Sequence, residues 1–364
     1  MSELYYVYPV WQQGSFSNIA RQHIKHLRQK VRVQEIDDNI LDNLMWTPGK
    51  SVLLHPIGYL LLGDRVTQFQ ERIRRLHKLK NVAKRLGGFD TADSSRISSI
   101  FVDILNHQDL VFVPSEWAKE VYVNSGVNAP VHVLPHGLPD EFLTQPNPNN
   151  LKVENNALKM LLDLKRKHKA RLVLFFLLHS GYRKGADLVA EAMRMVQQEF
   201  TKTYLVVKTG DIEDPYLKRF RGLKWMNVKG WLNAEELRQL YDICDVVICP
   251  SRGGGFELNA LEGIARNKPV IVPNAMCFKD YANYAITVDV AREVRVLPGN
   301  PIHIGVGYEV DLNELTHTLM RVLSHYEVYR RRAVKWGKQV REKYAWSNIC
   351  DELYDILNSY GFVE

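Results

Sequence analysis

The chain has 364 residues, of which 46% are apolar and 24% charged, and 48 Lys and Arg against 41 Asp and Glu give a formal charge of +7. This is ordinary globular composition, and the length suits two domains of about 150 to 200 residues better than one core. No stretch approaches the roughly 20 apolar residues that span a bilayer, and the N-terminus has neither a basic nor an apolar leader region, so a soluble, cytoplasmic protein is expected.

In chain order, the first part alternates apolar strands with helical stretches. Strands are expected at 4–10, 32–36, 51–56, 109–113 and 131–134, with helices at 17–29, 64–79 and 115–125, the last capped by Ser115. Pro135-His136-Gly137-Leu138-Pro139 breaks the pattern, and the Pro- and Asn-rich stretch 145–150 marks a domain boundary between Pro139 and Asn150. Beyond it, strands are expected at 171–178, 203–208, 246–249 and 270–272, alternating with helices at 186–199, 234–243 and 258–266. Three helices follow, at 311–325, 328–344 and 347–360. Such alternation argues for two successive parallel sheets covered on both faces. The four cysteines, Cys244, Cys249, Cys277 and Cys350, show neither a C-x-x-C pair nor a matching histidine spacing, so they read as small buried hydrophobes.

The most informative stretch is Cys249-Pro250-Ser251-Arg252-Gly253-Gly254-Gly255-Phe256-Glu257-Leu258, leading into a helix that carries Glu262. It reads strand, glycine loop, helix. Three glycines let a ligand approach the backbone, and the helix N-terminus favours an anion, which points to a phosphate-bearing ligand. The alternative is a tight turn with Glu262 paired to Arg266 one turn on, worth about 0.3–0.5 kcal/mol. Arg183 and Lys184 sit where the strand at 171–178 hands over to the next helix. Cations there suit a pyrophosphate, although a pair of exposed loop cations is as consistent. Lys208 ends a strand and is either a ligand contact or a charged strand terminus.

In the first domain, Asp90 and Asp93 stand at a strand end and helix start. Asp93 reads as a helix cap and Asp90 as the better candidate for a site. His55 is a second candidate, with a hydrogen-bonded strand end as the alternative. Gly14 lies in a lone-glycine loop that enters a helix. The basic run Arg72, Arg74, Arg75, Lys78, Lys80, Lys84 and Arg85 is a solvated helix face or a contact for anionic lipid or a phosphorylated acceptor. No recognisable nucleic-acid module accompanies it, so no nucleic-acid partner is expected.

Pro250-Ser251, the Gly255-Phe256 loop, Leu261-Glu262-Gly263-Ile264-Ala265-Arg266 and Lys268-Pro269-Val270-Ile271-Val272 together resemble the donor-nucleotide signature of retaining glycosyltransferases, in particular glycosyltransferase family 4 (glycosyl transferases group 1). Motifs similar to this family recur from about Asp90 to Tyr344. The resemblance implies a GT-B architecture: two doubly wound, Rossmann-like domains facing a cleft, an acceptor-side domain over 1–140, a nucleotide-sugar domain over 141–344, and a terminal helix over 345–364 crossing back to the first. It implies transfer of a sugar from a UDP-, GDP- or ADP-sugar to a glycan, lipid-linked or other hydroxyl acceptor, with retention at the anomeric carbon and no resident cofactor. Absence of an Asp-x-Asp pair agrees with metal-independent chemistry.

Residue by residue, the resemblance gives Lys184 and Arg183 to the diphosphate and Glu262 to the ribose. Asp90 goes near the transferred sugar, and Gly14, Lys208, Gly254, Gly255, Phe256, Glu257 and Leu258 go to the donor's surroundings. The family brackets its glycine loop with two glutamates separated by seven residues. Here the second is Glu262 and the first falls on Gly254. A catalytically impaired relative that still binds sugar nucleotide, a GT-B epimerase or phosphorylase, and a basic lipid- or nucleic-acid-binding protein are the rival readings.

Overall fold

The computed structural model describes residues 3–38, 48–62, 69–147 and 151–363. The chain divides into two compact units. One holds residues up to Gly137, the segment Leu297–Gly305 and the chain from Tyr344 onward, and the other holds Leu138–Val296 and Val306–Lys343.

The first unit runs β1 (Glu3–Tyr8), α1 (Ser15–Leu27), β2 (Arg32–Asp37), β3 (Ser51–Leu54), α2 (Ile57–Leu62), α3 (Phe69–Val82), β4 (Arg85–Phe89), α4 (Ser99–Asn106), β5 (Leu110–Val113), α5 (Glu116–Ser125) and β6 (Val131–Val133). All six strands are parallel, in the order β2-β1-β3-β4-β5-β6. β3 and β5 are buried along their whole lengths, as strands covered on both faces must be. Val52, Leu54, Val111 and Val113 pack there with Phe101 and Ile104 of α4 and with Ala118 and Tyr122 of α5. Ser115 caps α5 as expected, its hydroxyl accepting from the Ala118 amide at 3.2 Å. Asp93 is not a helix cap: α4 starts at Ser99, and the Ser98 hydroxyl accepts from the Phe101 amide. Part of the helix expected over 64–79 lies outside the described residues. The part that is described begins at Phe69, and the short α2 ahead of it carried no sequence signal.

The second unit runs α6 (Asp140–Leu143), α7 (Asn156–His168), β7 (Arg171–Leu177), α8 (Ala186–Glu199), β8 (Thr203–Thr209), β9 (Trp225–Val228), α9 (Ala234–Ile243), β10 (Val246–Ile248), α10 (Leu258–Ala265), β11 (Val270–Pro273), β12 (Ile286–Val288), β13 (Val290–Arg295), β14 (Val306–Val310), α11 (Leu312–Ser324) and α12 (Tyr326–Lys343). Six of its strands make a second parallel sheet, ordered β12-β11-β10-β7-β8-β9, while β13 and β14 form an antiparallel ribbon. Val173, Phe175, Leu177, Leu205 and Val207 of the sheet pack against Val189, Met193 and Val196 of α8 and Leu315, Leu319 and Val322 of α11. Asn233 and Glu236 close a capping box at the start of α9, and Asp311 caps α11. The last helix, α13 (Trp346–Ser359), belongs to the first unit, where the Trp346 indole meets the His23 ring of α1 edge-on at 5.3 Å.

The segment Leu297–Gly305, between β13 and β14, is also built into the first unit. The Ser98 amide donates to the Ile302 carbonyl (2.9 Å), the Ile304 amide to the Arg96 carbonyl (3.0 Å) and the Gly305 amide to the Ser94 hydroxyl (3.1 Å). The four cysteines are free and buried. Among the described residues, no helix is long and apolar enough to cross a membrane.

Candidate functional site

The second sheet starts at β7, grows outward through β8 and β9, then returns to the other side of β7 with β10. That reversal makes the space beyond the carboxyl ends of β7 and β10 the place where open α/β sheets bind ligands. The two most informative sequence motifs meet there. Arg183 and Lys184 follow β7 and precede α8, while the glycine loop follows β10 and precedes α10.

The two turns are stitched to each other. The Arg252 amide donates to the Arg183 carbonyl at 2.7 Å, and the Arg183 Nη1 donates to the Gly253 carbonyl at 2.8 Å. Gly185 makes the approach possible. It takes φ of 77°, and a Cβ there would lie 2.4 Å from the Pro250 carbonyl oxygen, so neither the backbone conformation nor the space admits a side chain. Arg183 is buried at 5% exposure and braces the loop from below, whereas Lys184 reaches Glu257 Oε1 at 2.6 Å.

Arg252, 1% exposed, is the largest charge inside the loop. Its guanidinium makes a two-pronged pair with Asp187 in the first turn of α8 (2.8 Å twice) and donates through Nε to Glu309 of β14 at 2.6 Å. It also lies over the Tyr182 ring, 4.1 Å from its centroid. Glu309 takes a second cation, Arg292, at 2.7 Å. A buried charge needs such pairing, and the result is a glycine-rich loop clamped at its base.

Glu262 lies on α10 and is 9% exposed. Burial pushes its carboxyl up to about 7, and the Tyr241 hydroxyl, donating to Oε2 at 2.7 Å, holds it from going further. Tyr241 is itself fixed between Phe176, stacked at 5.5 Å between centroids, and Phe142, edge-on at 5.7 Å. The surface pair between Glu262 and Arg266 that stood as the alternative reading does not form. Arg266 instead makes a fully buried two-pronged pair with Asp242 at 2.8 Å, and it donates to the Phe142 carbonyl at 3.2 Å. Lys208 sits at the carboxyl end of β8, its ammonium donating to the carbonyls of Thr209 and Gly230, and burial brings its pKa down to about 8.

In the first unit the corresponding reversal lies between β1 and β3. Gly14 follows β1, and His55 follows β3. Gly14 has extended backbone, and a Cβ there would meet nothing within 4 Å, so neither geometry nor packing demands a glycine. His55 Nδ1 lies 2.8 Å from the Tyr6 hydroxyl, which is also 2.8 Å from His23 Nδ1. Burial holds both imidazoles well below the usual range, and His55 thus has the hydrogen-bonded strand-end environment. Asp90, at the end of β4, accepts from the Gly58 amide (2.6 Å) and the Thr91 amide (2.7 Å), yet burial still raises its carboxyl to about 7. Of the basic run, Arg74, Lys78, Lys84 and Arg85 are exposed and Lys80 is held by Asp109 at 2.5 Å, while Arg72 lies outside the described side chains.

Sequence reasoning passed over Tyr241, Asp187, Arg252 and Glu309. Arg252 had a signal, a lone arginine inside an otherwise apolar and glycine-rich loop. Tyr241 had none, because nothing in the spacing of α9 and α10 ties position 241 to position 262.

Residues 170–290, which carry both motifs, match the family described as Glycosyl transferases group 1. A protein designated 356 from Sulfolobus islandicus rod-shaped virus 1 is 28% identical over 98% of this chain and 99% of its own. A putative glycosyltransferase 45 from Sulfolobus islandicus filamentous virus is 26% identical over 74% of this chain and 73% of its own. Among solved structures, Anabaena HepE in complex with UDP and glucose superposes with a TM-score of 0.71, at 12% identity, over 99% of this chain and 100% of that one. That last likeness is one of fold, and the fold is GT-B-like. The family match over 170–290, together with a relative designated a glycosyltransferase, marks the chain as a glycosyltransferase.

Proposed function

We propose that this protein moves a sugar from a nucleoside diphosphate sugar to a hydroxyl acceptor, a glycan or lipid-linked sugar among the candidates, with retention at the anomeric carbon, without a metal ion, and in the manner of family 4. The observation that carries this reading is the convergence of Lys184, the clamped loop at 253–255 and a buried, tyrosine-held Glu262 at the carboxyl ends of β7 and β10. A diphosphate supplies the anion that Lys184 and a helix N-terminus would meet, and ribose hydroxyls supply donors for Glu262. The HepE complex with UDP and glucose, on the same fold, supports a sugar nucleotide as the ligand class.

As the glycosidic bond breaks, charge grows on the departing diphosphate. Lys184 and the amides of the glycine loop are preorganised to stabilise it, the contribution that is usually the largest in such catalysis. Arg183 acts through the loop it braces. The donor phosphate assists the incoming hydroxyl, and Asp90 is the residue that the family resemblance offers for acceptor or sugar.

A thermal-shift screen of UDP, GDP, ADP and their sugar conjugates tests this. Ligand at about 100 times its Kd adds roughly 2.7 kcal/mol of stability. One nucleotide family should stabilise the wild type, and Glu262→Ala and Lys184→Ala should abolish that effect. No stabilisation of a folded wild type by any of them would favour the impaired or non-enzymatic readings. Anomeric configuration of the product, read by NMR, and turnover in chelator test retention and metal independence.

A further inference from the structure

Resting on the reading of this site as one for a sugar nucleotide, the geometry points to a relocated carboxylate. We propose that Glu257 supplies the acidic group facing the sugar end of the donor, and that position 254 is glycine because this carboxylate fills its side-chain space.

Four observations carry the proposal. A Cβ built on Gly254 would lie 2.4 Å from Glu257 Oε1, 3.3 Å from its Cδ and 3.5 Å from its Cγ, so the three nearest atoms all belong to that one side chain. Gly254 is absent from the left-handed region, so its backbone accepts an ordinary residue and the nearest obstacle to a side chain there is Glu257. Glu257's carboxylate is 3% exposed and held by Lys184 at 2.6 Å, with its second oxygen 3.9 Å from Cys249 Sγ. Finally, Glu257 is the N-cap of α10 but its side chain makes no cap hydrogen bond, so its carboxylate goes to Lys184 and not to the first amides of the helix.

A carboxylate placed beside the cation that meets a diphosphate repels the phosphates and accepts hydrogen bonds from hydroxyls. With Glu262 assigned to the ribose, the hydroxyls left for Glu257 are those of the sugar to be transferred. The acidic function has thus moved three residues along the chain while its carboxylate stayed within reach of position 254.

The test is a residue exchange. Titrations use UDP and UDP-glucose, or the corresponding pair if the screen selects another base, on wild type, Glu257→Gly, Gly254→Glu and the double variant. In wild type the sugar conjugate should bind more tightly than the free nucleotide. Glu257→Gly should weaken the sugar conjugate at least tenfold and leave the free nucleotide unchanged or tighter, because Lys184 is released. The double variant should recover the sugar conjugate to within about threefold of wild type. An unaffected sugar increment in Glu257→Gly, or a double variant no better than that single one, overturns the proposal. Wild type that binds neither ligand overturns the parent reading and this one with it. A second measurement needs no nucleotide: Gly254→Glu alone should lower Tm through collision with Glu257, and adding Glu257→Gly should remove that loss. Additive Tm changes would refute the shared space.

Discussion

Tyr241→Phe tests the internal logic of the site. It removes one oxygen, keeps the ring between Phe142 and Phe176, and leaves the Glu262 carboxylate without its 2.7 Å donor. A hydrogen bond to a charged group is worth about 1.5–3 kcal/mol, and about 1.4 kcal/mol corresponds to one pKa unit, so the carboxyl that stands at about 7 should move up by about one to two pH units. If ribose hydroxyls are held by the ionised form, about half of the wild-type sites are competent at pH 7. The variant then retains between about a tenth and a hundredth, a loss of about 5- to 50-fold in nucleotide affinity. Calorimetric titration at pH 6, 7 and 9 reads the effect, and the loss should shrink towards pH 9 as the variant's carboxyl ionises. An equal loss at all three pH values would mean a packing defect, and no loss would remove Glu262 from ligand binding. Stability moves the other way. Because the folded chain holds this proton between the ordinary carboxyl value of 4.5 and about 7, stability falls as pH rises through that window, by up to about 3 kcal/mol. Glu262→Gln should therefore be more stable than wild type at pH 8 while binding nucleotide poorly.

Three further outcomes follow from the clamp and the buried histidines. Arg252→Met leaves Asp187 and Glu309 without their shared cation and should cost about 3–5 kcal/mol in chemical denaturation. Arg252→Lys should recover only part of that stability, since an ammonium cannot make the two-pronged contact with Asp187. Gly185→Ala should lower Tm and nucleotide affinity together, because the Cβ meets the Pro250 carbonyl in a left-handed conformation, whereas Gly14→Ala should leave Tm unchanged. His23 and His55 are held neutral by burial, so the unfolded chain takes up protons that the folded one refuses as pH falls below about 6.5. Each histidine should contribute a drop in unfolding free energy of about 1.4 kcal/mol per pH unit as pH falls from about 6.5 to 5, with His136 acting in the same sense and Asp90 and Glu262 in the opposite one, so the contribution is read as the difference between wild type and variant. His23→Asn and His55→Asn should each flatten that drop, and an unchanged slope would contradict the assignment.

What could be read from the sequence, and what could not, divides along physical lines. The long, strongly periodic elements were legible: α8 and α9 fall on the expected residues, and β7 falls one residue short of them, because a helix face or a buried strand writes its period into many positions at once. β9, β12, β13 and β14 were not seen. They are three to six residues long, and β13 is largely exposed, so too few side chains register the period. The placement of Leu297–Gly305 in the first unit was equally unreadable, since its ties are to backbone carbonyls and amides that any sequence carries.

The site shows the same division at finer scale. Glycines, a Lys at a helix start and a Glu on α10 are local signals, and they single out Lys184, Gly254 and Glu262 from the sequence alone. What decides how those residues act is non-local. Tyr241 comes from 21 positions away in the chain to hold Glu262, Glu309 from 57 to hold Arg252, and Glu257 from 73 to meet Lys184. Motif spacing alone reads Gly254 as a missing acid, which argues for an impaired protein. Once the coordinates place a carboxylate 2.4 Å from the side-chain position of residue 254, the same glycine argues for a site whose charge is intact. Whether a departure from a pattern is a loss or a relocation is therefore a question about space, and the exchange of residues 254 and 257 is the perturbation in which the two answers differ in sign.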